Sequence, residues 1–261
     1  MNEAIIRLSV FISVLIVIML LEIVSPRRQL KLSRKLRWLN NLILIIINTI
    51  VLRLVFPFAA VGAALWCQIN QVGVLNYLDI SPIFKVIIAF VVLDFAIYLQ
   101  HILFHFVPVL WRFHKVHHVD LDFDVTSGIR FHPIEMILSM LIKFAVIAVI
   151  GVPVLAVIIF EVVLNATSMF NHGNIRLPQK LDSLIRVFIV TPDMHRVHHS
   201  SIVKETNSNF GFNFAIWDKL FSTYIAQPSK GHIDMDIGLK EYKDSNTTQK
   251  LVNILKIPFF K

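Results

Sequence analysis

Eleven histidines occur in this chain, and ten of them fall between His101 and His199. Their spacing is ordered. His101 and His105 form H-x-x-x-H, which on a helix puts both rings on one face. His114, His117 and His118 form H-x-x-H-H, and His195, His198 and His199 repeat that arrangement. His132 in RFHPIE and His172 in FNHGN stand singly between these clusters. Neutral imidazole is a ligand for iron, copper and zinc. Ten imidazoles exceed the four ligands of an ordinary zinc centre, but two ions sharing them would receive about five each and keep an exchangeable position. The pattern therefore predicts a site for two metal ions. A redox role selects iron. Spacing alone does not separate iron from zinc, which leaves a zinc-dependent membrane hydrolase or a non-catalytic metal-binding protein as competing readings.

Other metal chemistries are excluded by composition. Cys67 is the only cysteine, so this chain alone supplies no disulfide, thiolate zinc site or iron–sulfur centre. The Glu-x-x-His pattern of soluble di-iron bundles is also missing. Carboxylates that could orient ligand rings are Asp94, two helical turns before His101, and then Asp193 and Asp218. Asp122, Asp124 and Glu135 are weaker candidates of the same kind. Arg112, Lys115 and Arg196 sit beside the H-x-x-H-H clusters and are candidates for a lipid head group or an acidic redox partner. Trp217 and Phe221, four apart, read as core packing, and Asn171 and Asn174 as backbone caps around His172. His232 lies outside every cluster and is left out of the site.

The elements that must position these rings are apolar. The chain is 56% hydrophobic and 16% charged, a balance that suits a membrane protein better than a soluble fold. Ile5 to Val24 is long enough to span the hydrocarbon core. Basic residues follow it where a signal peptide would carry a small-residue cleavage site, which favours a retained anchor. Leu39 to Trp66 reads as a second span, tilted or kinked around Pro57, and Pro82 to Val109 as a third. Ile134 to Met169 exceeds one ordinary span and is interrupted by Gly151 and Pro153, which fits a hairpin of two short helices.

Arg27, Arg28, Lys31, Arg34, Lys35 and Arg37 place the first loop in the cytoplasm. Their position after an apolar run favours a membrane-flanking role over nucleic acid. If the early and late histidines share a site, the fourth block must return to the same face. The expected fold is an all-α integral membrane protein with about four membrane-embedded segments, or three spans plus a hairpin, under a cytoplasmic helical cap that holds the histidines. Three regions are expected: a membrane anchor over 1–81, a catalytic domain over 82–224, and a cytoplasmic or membrane-surface tail over 225–261.

The series HILFH, WRFHKVHH, RFHPIE, FNHGN and DMHRVHH, followed by NFGFNFAIWDKLFSTY, resembles the fatty acid hydroxylase and sterol desaturase superfamily. The resemblance covers roughly Pro82 to Tyr224 and implies a bacterial-type oxygenase, inner-membrane and cytoplasm-facing, with a di-iron centre and a hydrophobic substrate cavity. It implies ligand roles for His101, His105, His114, His117, His118, His195, His198 and His199, and less directly for His132 and His172. Dioxygen, a lipid-like substrate and a separate electron donor are the implied partners. Hydroxylation of a C–H bond is the expected reaction, with desaturation at the same site as the alternative.

Overall fold

The computed structural model describes residues 3–260. Helix α1 (Glu3–Val24) is followed by α2 (Arg34–Val55), α3 (Ala59–Ile69) and the short α4 (Val74–Tyr77). Next come α5 (Pro82–Phe106), α6 (Pro108–His118), α7 (Pro133–Ile150) and α8 (Val154–Asn171). Proline opens α5, α6 and α7 at the first turn, where its missing N–H costs nothing and its fixed φ suits the helix. Pro57 acts in the opposite way, ending α2 and separating it from α3.

Five of the described helices are long and apolar enough to cross a bilayer, which corrects the count of four and agrees with three spans plus a two-helix block. Only 11% of the most apolar stretch of α1 is buried, so its leucines and isoleucines face outward, as lipid contact requires. The 134–169 block is two helices of 18 residues each, joined at Gly151. Helix α3 packs against both. Gly73 and Gly151 meet at the turn: a Cβ at Gly73 would lie 2.1 Å from the Gly151 backbone nitrogen, and both residues have positive φ. Only glycine satisfies both demands at once.

At the opposite end the helices converge. Glu22, near the end of α1, accepts from the backbone N–H of Val125 and of Asn174, each at 2.7 Å. Arg37, on the first turn of α2, is fully buried and donates to Asp120 at 2.8 Å and to Asp124 at 2.6 Å. Asn41 and Asn48 continue this polar edge, donating to the Thr126 hydroxyl and the Phe131 carbonyl. Asp124 also caps a 3-10 turn over Val125–Ile129. Arg28 and Arg37 were expected to flank the membrane, but both are buried and tie the first loop to the cap. The spacing of charges after a span shows where cations sit, not which of them find buried partners.

Beyond α8 lie α9 (Gln179–Ile185), α10 (Pro192–His198), α11 (Val203–Thr206), α12 (Ile216–Leu220) and α13 (Gly231–Asp234). The last helices are α14 (Ser245–Gln249) and α15 (Leu251–Lys256). These last two do not hang free. Ile254 and Ile257 are buried in one cluster with Leu44 of α2 and Val116 of α6, so the end of the chain braces the helix that carries three histidines.

Candidate metal centre

Nine histidines from separate stretches of chain form two buried groups. The first contains His101, His105, His114, His118 and His198, and the second His117, His172, His195 and His199. Within each group the ring nitrogens lie within 4.8 Å of one another, so each is able to hold a metal ion. The groups adjoin, with the His118 and His199 ring centroids 4.6 Å apart. Helical spacing explains the partition. His114 and His118, four apart on α6, face one group, while His117 is turned toward the other.

Hydrogen bonds set the tautomers. Nδ1–H of His101 donates to the Phe210 carbonyl at 2.8 Å, that of His172 to Ser168 at 2.7 Å, and that of His198 to Ser208 at 2.7 Å. His117 donates to the Arg130 carbonyl at 3.3 Å, His105 to the Asn207 side-chain oxygen at 3.0 Å, and His114 to Glu135 at 2.6 Å. Each bond leaves Nε2 unprotonated and available as a ligand, the usual arrangement around a bound metal. The free nitrogens then face one another: Nε2 of His105 is 3.1 Å from that of His118, and Nε2 of His117 is 3.1 Å from that of His172. Two lone pairs at that separation repel unless a cation lies between them.

Nε2 of His101, His198 and His199 is buried without a hydrogen-bond partner among the described residues. Buried polar atoms are normally satisfied, so these orphans fit a metal well. Burial, followed by repulsion from neighbouring imidazoliums, pushes His117, His118, His195, His198 and His199 far below the usual imidazole value. Burial lowers His172 to about 4. The rings are therefore neutral at physiological pH, the state that binds metal.

Several expected positions fall elsewhere. His132 lies outside both groups: its Nδ1 accepts from Ile134 N–H at 3.1 Å as the cap of α7, and its Nε2 meets the Leu255 carbonyl at 3.3 Å. Its place directly before Pro133 turns the ring back onto its own helix, which corrects its expected place among the ligands. Asp94 orients no histidine. Its carboxylate accepts from the Asn213 and Phe214 backbone and from the Trp217 indole at 2.7 Å, locking the 213–217 segment onto α5. Asp193 pairs with Arg27 and Arg196 instead of a cluster ring.

Asp218 acts at one remove. It accepts from the Phe210 and Gly211 N–H groups and so fixes the carbonyl that His101 meets. Arg196 is fully buried, bonded to Asp193 and to the Gly173 carbonyl, and is unavailable to a partner or head group. Arg112 remains exposed. Lys115 donates to the Tyr242 hydroxyl at 3.0 Å and lines a cavity of about 420 Å3 whose wall includes His105 and Trp111.

Sequence reasoning missed Arg130. It is fully buried, donates to Val116 and Thr248 carbonyls, and offers its own carbonyl to His117. Glu22 stands in the sequence as an acidic residue within the apolar run Ile5 to Val24, which marks it as a candidate for a buried polar role. The carbonyls of Ser168, Ser208 and Phe210 carry no side-chain signal at all.

A model of the family described as Fatty acid hydroxylase matches residues 86–223. Among curated proteins, ornithine lipid hydroxylase OlsE of Rhizobium tropici is 30% identical over 154 residues, covering 59% of this chain and 46% of that protein. Human alkylglycerol monooxygenase is 26% identical over 54% of this chain and 31% of its own length. Cholesterol 25-hydroxylase of Rattus norvegicus is 28% identical over 55% of this chain and 47% of its own length. The chain thus spans less than half the length of each of these relatives. No solved structure matches it significantly. The family match covers more than half of the chain and contains every histidine of both clusters, and the chain therefore belongs to the fatty acid hydroxylase family.

Proposed function

We propose that this protein is a dioxygen-dependent di-iron monooxygenase that hydroxylates a C–H bond of a lipid. The observation carrying this reading is the pair of adjacent all-imidazole groups, with ring nitrogens freed by Nδ1–H bonds, at one end of an apolar helix bundle. His101, His105, His114, His118 and His198 would hold one iron, and His117, His172, His195 and His199 the other. Bound iron would supply the reduction of dioxygen and the C–H cleavage, with electrons from a separate donor. The protein's part is positional. Buried carbonyls and Glu135 fix the rings, and the closed surroundings keep bulk water from the centre.

The cavity bordered by His105 and Trp111 gives access to the first group, and its Lys115 rim suits a lipid with a polar head. Relatives named for ornithine lipid, alkylglycerol and cholesterol support a lipid substrate, and their names as hydroxylases or monooxygenases favour hydroxylation over desaturation. The basic first loop supports a cytoplasm-facing site, and the Rhizobium relative supports a bacterial inner membrane.

Purified protein loaded with iron should consume oxygen only when reductant and lipid are both present, and the lipid should gain one oxygen. Loss of two hydrogens without gained oxygen would reassign the reaction as desaturation. Turnover with zinc under anaerobic conditions would overturn the oxygenase reading.

A further inference from the structure

A second cavity, of about 610 Å3, lies away from the access route beside His105. It is lined by four cationic side chains, Arg27, Arg176, Arg186 and Lys219, against the carboxylates of Asp182 and Asp193. Both carboxylates are paired, Asp182 through one oxygen only, its Oδ1 being buried without a hydrogen-bond partner among the described residues. Asp182 pairs with Arg186 at 2.5 Å, and Asp193 with Arg27 at 3.0 Å and with Arg196. A positive excess therefore remains on the wall.

The cations are held in place. Lys219 donates to the Arg186 and Val187 carbonyls at 2.9 and 3.2 Å, and Arg186 donates to the Ala226 carbonyl at 2.8 Å. Arg186 is only 6% exposed, yet its Nε is buried with no hydrogen-bond partner among the described residues. A guanidinium N–H without an acceptor, beside a cavity whose lining carries more cations than carboxylates, favours an anion there.

Position identifies the source of that anion. Arg27 follows the end of α1 by three residues, and Arg176 follows the end of α8 by five, so the cavity sits where two membrane helices leave the bilayer. Exposed apolar residues lie close in sequence to its lining: Val24 at 81%, Leu184 at 67% and Phe188 at 69%. Apolar side chains beside fixed cations at this depth match the boundary between acyl chains and head groups.

We propose that this cavity binds the phosphate head group of an anionic phospholipid from the surrounding bilayer, a site separate from the metal centre. Because Asp193 lies on the first turn of α10, two residues before His195, the bound lipid would brace the element that carries the last histidine motif.

The test uses the full chain in nanodiscs of phosphatidylcholine doped with phosphatidylglycerol, followed by native mass spectrometry of retained lipid. Wild type should retain phosphatidylglycerol about tenfold over phosphatidylcholine, the preference expected from one or two cations near a membrane surface. Arg176→Glu, at an exposed position, should abolish that preference. Lys180→Glu, an equal charge change at a nearby residue that does not line the cavity, should leave it intact. An absent preference in wild type, or an equal loss in both variants, would overturn the proposal, and either result would leave the metal-centre reading untouched.

Discussion

His172 and His117 are 55 residues apart in sequence, yet their Nε2 atoms lie 3.1 Å from one another, each ring donating its Nδ1–H to a backbone carbonyl. That geometry has no hydrogen between the two nitrogens. It fits a shared cation, and the same argument applies to His105 and His118 in the neighbouring group.

Glu135 is expected to set the affinity of the first group. Its bond to His114 fixes the orientation of the ring, so Glu135→Ala should weaken metal retention there by about 10–100-fold. Glu135→Gln keeps an acceptor and should recover part of the loss. Retention against a graded chelator measures both, and equal retention by wild type and the Ala variant would contradict the role.

His132→Ala should leave metal content unchanged, because the ring caps α7 and belongs to neither group. Loss of the cap should cost about 1 kcal/mol, read as a small fall in melting temperature. A loss of metal on this substitution would restore His132 to the ligand set.

The sequence made the chemistry legible and the scaffold only partly so. Histidine spacing pointed to eight of the nine clustered rings because a fixed helical period carries the information, while His172 stood alone and was suggested only by the family resemblance; Gly151 with Pro153 marked the break between two short helices. His132 was misjudged because residue type does not reveal ring direction next to a proline. The acceptors for His101, His172 and His198 are carbonyls, which every residue has, so no sequence pattern could point to them. Arg37 read as one more membrane-flanking charge of the first loop because its partners, Asp120 and Asp124, lie more than eighty residues away.

Arg37→Gln should be strongly destabilising. Burial alone would raise the Asp120 carboxyl, but Arg37 and then Arg130 bring it below its ordinary value, so the pair is ionised in the fold. Removing the cation leaves buried carboxylates uncompensated at a cost of about 3–5 kcal/mol. Yield and thermal stability in detergent check this, and a variant as stable as wild type would refute it.

The metal-free protein should lose stability on acidification. His172 and His232 are lowered by burial to about 4 in the folded state, from an ordinary 6.5. Between those values the unfolded chain binds more protons than the folded one, so their contribution is complete above pH 6.5 and declines as pH falls toward 4. Melting temperatures across this window should drop with pH. A flat or rising profile would contradict the buried, neutral assignment.

Metal stoichiometry tests the central claim most directly. Elemental analysis of iron-loaded wild type should give two ions per chain; changing His105 and His118 together to Ala, which cuts the first group to three imidazoles, should leave one ion, and His195→Ala, which cuts the second to three, should also leave one. A single ion in wild type, or the loss of both from either variant in a chain that remains folded, would contradict two separately held metals.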